Sequence, residues 1–159
     1  MDLATRGIVK TVRFAPGSKP YMLRVSPDGK YVWVQTSVAN TNVVLDVETM
    51  ETLHTTPVGR EPVQLAFGPD DGRYGLITHF ADTFVAVLDR RTGREVRRID
   101  VGQPQANAVF TPDGAVAFVT VTGGDEIVVI DMAQLAVIAR LKTGNEPMGL
   151  VLLDRTAAS

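Results

Sequence analysis

Short apolar runs of five or six residues, separated by Gly, Pro, Asp and Asn, recur along the whole chain. This is the pattern of β-strands divided by turns, because strands are usually about 5–6 residues long and these polar and small residues favour turns. No segment carries apolar residues at the i, i+3, i+4 spacing of an amphipathic helix. The pattern therefore predicts an all-β fold.

Three sequence markers repeat with one common period. Prolines that open a Pro-Asp-Gly type turn lie 42 and 43 residues apart, at Pro27, Pro69 and Pro112. Aspartates that close an apolar run lie 43 and 42 apart, at Asp46, Asp89 and Asp131, and each is predicted to cap the turn that follows it. Glycines followed by a proline three residues later, or two residues later in the case of Gly102, lie 42, 43 and 42 apart, at Gly17, Gly59, Gly102 and Gly144. A period of about 40–45 residues with four short strands per unit is typical of a β-propeller blade.

Each unit divides into four predicted antiparallel strands, which we label a to d from its amino end. The predicted blades cover residues 17–57, 58–100 and 101–143. A lone strand d is predicted at 6–14 and a lone strand a at 147–154. Residues 1–154 are thus interpreted as one partial β-propeller, followed by a tail at 155–159.

The end of strand b carries a further pattern. It contains Trp33-Val34-Gln35-Thr36, Leu76-Ile77-Thr78-His79 and Phe118-Val119-Thr120-Val121 in the three units. With the Ser/Thr-Pro-Asp-Gly turns and the valine-rich runs that end in Ile/Leu-Asp, the chain resembles the YVTN-type β-propeller repeat family, which includes YncE-like and surface-layer propeller proteins. The Thr of the family pattern stands in two units and its terminal Asn in none. The resemblance implies a propeller of usually about seven blades, in a family that hosts binders, scaffolds and a few enzymes.

Three complete blades are fewer than the four that a closed propeller normally needs. Three interpretations remain open. The chain is part of a larger propeller, it closes a ring by assembling with copies of itself or another chain, or it is an open arc of blades. An open arc exposes apolar blade faces, which favours association. We therefore expect a protein partner, or self-association, through open blade faces.

The composition limits the range of functions. The 159 residues are 45% hydrophobic and 21% charged, with a formal net charge of −2 and no cysteine. The absence of cysteine excludes a disulfide scaffold, a thiol nucleophile and a thiolate zinc site. The near-neutral charge offers no basic field for nucleic acid. Five arginines between Arg90 and Arg98 are interpreted as charges that block pairing at an outer strand edge, so no nucleic-acid partner is predicted.

Targeting and membrane segments are not evident in the pattern. The first seven residues lack the apolar centre of a signal peptide, and no apolar run approaches the roughly 20 residues of a spanning helix. The sequence therefore predicts a soluble protein without a membrane span. The compartment stays open, because the resemblance implies parent proteins that are often periplasmic or exported.

Candidate ligand-binding residues come from strand a, because the innermost strands of a propeller line its central channel. The polar residues there include Arg24, Gln64, Gln105 and Asn107. Arg24 stands where the other two units have Ala66 and Val109. An arginine in this place favours an anionic ligand, or pairs with an acidic neighbour.

His79 and Asp82 are the second candidate pair, at the end of a strand b and in the loop that follows it. They are a candidate metal site or base with its orienting carboxylate, or a structural loop histidine. The two histidines of the chain, His54 and His79, do not have the local spacing of metal ligands. We predict no resident metal, no cofactor and no assigned catalytic residue.

Two functions are consistent with these features. The first is a non-catalytic β-propeller module for protein or ligand binding or scaffolding. The alternative is a lactonase-like or metal-assisted hydrolase that acts at the mouth of the channel. The sequence favours the first, because no complete acid–base or metal constellation can be assembled from it.

Overall fold

The computed structural model describes residues 4–69, 72–102 and 104–153. It contains three four-stranded antiparallel sheets. The first sheet comprises β1 (Pro20–Val25), β2 (Tyr31–Thr36), β3 (Thr41–Asp46) and β4 (Thr52–Pro57). The second comprises β5 (Pro62–Phe67), β6 (Tyr74–His79), β7 (Phe84–Asp89) and β8 (Glu95–Asp100). The third comprises β9 (Gln105–Phe110), β10 (Val116–Val121), β11 (Glu126–Asp131) and β12 (Ala136–Lys142), with one 3-10 turn at Thr122–Gly124.

Every sheet is a meander in which each strand pairs with the next one along the chain. This is the order expected for propeller blades, so the predicted all-β fold and the three four-stranded blades are confirmed. We refer to the sheets as blades 1, 2 and 3. The boundaries of the propeller domain remain predictions.

The two flanking segments that were predicted as lone strands form no strand where the structure describes them. Among the described residues, neither 6–14 nor 147–153 is assigned to a strand, and residues 154–159 lie outside the described part. A strand needs a neighbouring strand edge for its backbone hydrogen bonds, and no described strand pairs with either segment. The amino-terminal segment instead packs Val12 and Phe14 against Val34 and Val43 of blade 1.

The turns between strands c and d are capped by the repeated aspartates. Asp46 Oδ1 accepts hydrogen bonds from the backbone N–H groups of Glu48 at 2.9 Å and Thr49 at 2.8 Å. Asp89 and Asp131 accept the corresponding pairs of bonds in blades 2 and 3. The bond from Thr49 is the main reason that the pKa of Asp46 lies below its usual value. The predicted aspartate caps are therefore confirmed.

The turns between strands a and b use a hydroxyl and an aspartate together. Ser26 Oγ donates to Asp28 in blade 1, and Thr111 Oγ1 donates to Asp113 Oδ1 at 2.6 Å in blade 3. Each hydroxyl oxygen also accepts the N–H of the first residue of strand b. Asp70 and Asp71 of the corresponding turn in blade 2 lie outside the described residues.

The core consists of apolar layers between blades rather than a single centre. One layer joins blades 1 and 2 through Trp33, Leu65 and Ile77, and another joins blades 2 and 3. Blade 2 is thus covered on both faces, which explains its nearly continuous burial. The face of blade 1 away from blade 2 is covered at β2 and β3, where Val12 and Phe14 pack against Val34 and Val43. At β1 this face stays open, and the large side chains of β1 are about half exposed.

Candidate functional site

The first strands of the three blades lie side by side. Strand β5 contacts both β1 and β9, as innermost strands do around a propeller channel. A concavity of about 360 Å³ opens beside these strands, and we call it the channel-side concavity. Arg24 of β1, Gln64 of β5 and Asn107 of β9 all line it. Three predicted site residues, one from each blade, are therefore brought together.

Arg24 is exposed and supplies the charge of the channel-side concavity. It pairs across the ladder with Trp33 of β2. Among the described residues, none of the ion pairs involves Arg24. The described lining of the concavity contains no other charged side chain. The acidic neighbour that was one alternative for Arg24 is thus not found in the described part of the chain.

Gln64 has a structural role in addition to its place in the wall. Its Oε1 accepts the backbone N–H of Ala108 at 2.9 Å, and its Nε2 lies 3.5 Å from the carbonyl oxygen of the same residue. The carboxamide therefore joins strand a of blade 2 to strand a of blade 3. Because the side chain is buried, its polar atoms would be costly to leave without these partners.

Asn107 is the counterpart of Gln64 in blade 3. Both residues pair with a threonine of strand b, Gln64 with Thr78 and Asn107 with Thr120. Asn107 is one methylene shorter, and in the described structure its buried Oδ1 has no hydrogen-bond partner. The side chain is half-buried in the wall of the channel-side concavity. Its amide is thus not committed to a bridge between blades.

The other three predicted residues form a separate cluster at the carboxyl end of β6. Gln105 Oε1 accepts the backbone N–H of His79 at 3.3 Å, and Gln105 Nε2 donates to the carbonyl oxygen of Asp82 at 3.0 Å. Asp82 Oδ1 accepts from Arg60 Nε at 3.1 Å, and its Oδ2 accepts the backbone N–H of Arg60. Gln105 therefore ties blade 3 to the loop after β6 instead of lining the concavity.

His79 is a buried, neutral side chain in this cluster. Its Nδ1 lies 3.1 Å from the carbonyl oxygen of Phe84, so Nδ1 carries the proton that is donated. Burial lowers the pKa of His79, although the Phe84 carbonyl and Asp82 oppose this shift. Its Nε2 is buried and has no partner within the described residues. His79 and Asp82 are not joined through their side chains, and no group of three or more metal-binding side chains is found in the described part.

The family of the chain follows from a comparison with family models. A model described as a YNCE-like beta-propeller matches residues 3–155. The chain belongs to this YNCE-like family. The match covers almost the whole sequence and agrees with the three blades of the structure. No curated protein matches this YNCE-like chain.

Within the described residues, no helix has the length and apolar character that crossing a membrane requires.

Solved structures resemble this YNCE-like propeller in fold. Hydrazine synthase of Kuenenia stuttgartiensis is 23% identical with a TM-score of 0.76, over 87% of this chain and 40% of that chain. The RRP9 WD40 repeats are 13% identical with a TM-score of 0.75, over 84% and 41%. Dihydro-heme d1 dehydrogenase NirN in complex with DHE is 19% identical with a TM-score of 0.68, over 79% and 28%. The chain spans less than half the length of these proteins, and at such identities the likeness shows the fold alone.

Two arginines of the cluster in this YNCE-like chain have partners in the described structure. Arg90 donates to the carbonyl oxygens of Pro69 at 2.7 Å and Gly72 at 2.6 Å. Arg98 Nε donates to Glu95 at 2.6 Å, and its guanidinium lies 4.4 Å from the centre of the Phe84 ring. Arg90 and Arg98 thus bond within blade 2, and the role of the cluster in blocking edge pairing stays a prediction.

Two features of the sites were not found from the sequence. Arg60 clamps Asp82, and Phe67 and Phe110 form apolar walls of the channel-side concavity. Both depend on contacts between residues of different strands or blades, and the repeat markers do not encode such contacts. The alignment of strands a in three blades is the signal that points to Phe67 and Phe110, because each aromatic residue ends its strand a.

We expect acid to destabilise this YNCE-like propeller through His79. The folded-state pKa of His79 lies below that of an exposed histidine, so stability is complete above about pH 6.5 and falls as the pH decreases below it. The expected loss between pH 7 and pH 5.5 is up to about 1 kcal/mol. Urea denaturation at these pH values measures it. His79→Asn keeps a donor for the Phe84 carbonyl and is expected to make the free energy of unfolding less dependent on pH. The control His54→Asn should leave this pH dependence unchanged. An unchanged profile in His79→Asn would refute the assignment.

Proposed function

We propose that this chain is a non-catalytic β-propeller module that binds a ligand at the channel-side concavity. The observation that carries the proposal is the convergence of Arg24, Gln64 and Asn107, from three blades, on one concavity of about 360 Å³. Concave sites with apolar walls and a few convergent polar groups are typical of ligand binding. A non-catalytic role is supported by His79, whose Nε2 is buried and whose side chain is not joined to that of Asp82.

The experiment is a screen of chemically mixed small molecules by NMR of the isotope-labelled protein. We expect the ligands that bind to shift the backbone amide signals of residues around Arg24, Gln64 and Asn107. A second concavity between blades 1 and 2, with Arg73 and Arg91 in its lining, serves as the internal comparison. Shifts that cluster there, or no reproducible shifts at the channel-side concavity, would refute the proposed site.

A second copy of this chain is the proposed protein partner, bound through the open face of blade 1. Support comes from Tyr21, Leu23 and Val25 of β1, which are 55%, 57% and 52% exposed. The counterpart of Leu23 in blade 2, Leu65, is fully buried against blade 1. The same type of face thus accepts another blade within this chain.

Light scattering over a concentration series tests the self-association. We expect a species heavier than the monomer, which Leu23→Asp should shift back to the monomer because it places a charge on the open face. The control Leu53→Asp changes an exposed leucine of β4 and should leave the association unchanged. A strictly monomeric wild-type protein at all concentrations would refute this part of the proposal.

A further inference from the structure

We propose that the channel-side concavity binds an amphipathic carboxylate, with Arg24 holding the carboxylate group and the aromatic walls holding an apolar body. This inference rests on the proposed function and specifies the chemical class of its ligand. Three properties of the concavity support it: its charge, its apolar walls and the single place that the charge occupies among the repeated blades.

The charge of the concavity is a single positive one. Arg24 is the one charged side chain in its described lining. The planar guanidinium presents paired N–H donors that match the two oxygens of a carboxylate. One cation balances the single charge of a carboxylate. A phosphate monoester carries about −1.5 to −2 charges at neutral pH, and the described lining holds no second cation to balance it.

The walls that blades 2 and 3 and the following segment contribute to the concavity are largely apolar. Phe67 and Phe110 contribute rings, and Leu150 contributes an aliphatic surface. Phe67 is held in place by an edge-to-face contact with Trp33, at 5.4 Å between ring centres, and by the guanidinium of Arg90 at 5.7 Å. A preformed wall of this kind costs little ordering when an apolar group binds. The ligand is therefore expected to carry an aromatic or branched aliphatic group beside its carboxylate.

The position of the charge distinguishes blade 1 from its neighbours. The positions of blades 2 and 3 that correspond to Arg24 carry Ala66 and Val109, both of which also line the concavity. An amphipathic molecule can satisfy this arrangement in one orientation, with its carboxylate at blade 1 and its apolar body towards blades 2 and 3. The half-buried amide of Asn107 adds one polar group on the far side.

Matched ligands test the assignment. N-acetylphenylalanine and its uncharged amide share the same apolar body, and phenyl phosphate supplies the phosphate comparison. Binding of each is measured by NMR titration of the isotope-labelled protein, at low and at high salt. We expect the acid to bind about tenfold more tightly than the amide, because the charge-assisted bond to Arg24 is lost in the amide. High salt should reduce this difference.

Variants assign the effect to Arg24. Arg24→Gln should abolish the preference for the acid over the amide, and Arg24→Lys should retain part of it because the charge stays but the planar fork is lost. Arg91→Gln, an exposed arginine of the other concavity, is the matched control and should change nothing. Thermal melts check that each variant is folded, which is expected because Arg24 is exposed.

The outcomes separate the two levels of the proposal. Equal binding of the acid and the amide at Arg24 and Phe110 would refute the carboxylate and leave the proposed binding function intact. Tighter binding of phenyl phosphate would likewise refute the carboxylate class. An absence of shifts with all three molecules would also refute the amphipathic carboxylate, and the mixed screen would then decide the proposed function by itself.

Discussion

Replacing Trp33 with alanine is expected to lower the free energy of unfolding by about 3–5 kcal/mol. Trp33 is 1% exposed and lies in the layer between blades 1 and 2, where it packs with Leu65 and Ile77 and contacts the edge of Phe67. Removal of the indole leaves a cavity between the blades. Because each blade is held rigid by its own strand ladder, the blades cannot easily move together to close it. Urea denaturation, followed by circular dichroism, measures the loss.

Phenylalanine at this position is the informative control. Trp33→Phe keeps most of the apolar volume and removes the indole N–H, which is buried without a partner in the described structure. A buried unsatisfied donor costs about 1–3 kcal/mol, so its removal offsets part of the lost packing. We therefore expect a much smaller loss for Trp33→Phe than for Trp33→Ala. A loss below about 1 kcal/mol in Trp33→Ala would contradict the view that the apolar layers hold the blades together.

Much of the fold could be predicted because its signals are local. The aspartates at the ends of strands c bond to backbone groups two and three residues away, and the hydroxyls of the a–b turns bond to an aspartate two residues away. Short-range bonds of this kind depend on residue type and spacing, which a single sequence displays. Repetition of the same markers three times then fixes the blade as the unit.

The flanking strands could not be predicted by the same reasoning. Residues 6–14 align with a strand d and 147–154 with a strand a, so their sequence has the required pattern. Strand formation also needs a hydrogen-bonding neighbour, and none is found for either segment among the described residues. The repeat alignment shows that each segment has the residue pattern of a strand. Whether a strand ladder forms depends on a hydrogen-bonding neighbour beside the segment.

The candidate site was partly predictable for a similar reason. The position of strand a in a propeller pointed to Arg24, Gln64, Gln105 and Asn107, and three of these share one concavity. Gln105 does not, because it sits at the start of β9 and reaches the loop after β6. The burial of His79 depends on contacts with blade 3 and with Phe84. The sequence around His79 in its own strand does not reveal these contacts.

Replacing Gly59 with alanine is expected to lower the free energy of unfolding by about 1–3 kcal/mol. A Cβ atom at this position would lie 2.7 Å from Phe84 Cζ, 2.8 Å from Asp82 Oδ2 and 2.8 Å from His79 Cδ2. The side chains of Asp82 and His79 are held by bonds to Arg60 and to the Phe84 carbonyl, so they cannot easily move aside. The effect is purely steric, since Gly59 is not in the left-handed region that favours glycine. Thermal and urea unfolding of the variant measure the loss.

Gly144 is the matched control, because it occupies the corresponding place 85 residues later in the repeat. Nothing lies within 4 Å of a Cβ built there, so Gly144→Ala should be neutral or slightly stabilising. Gly17 and Gly102 are less suitable, because their positive φ would add backbone strain. Combining Gly59→Ala with Phe84→Leu removes the nearest contact and should recover part of the loss. If Gly59→Ala and Gly144→Ala proved equally stable, the close packing around His79 would be wrong, and with it the reason for the buried, neutral state of this histidine.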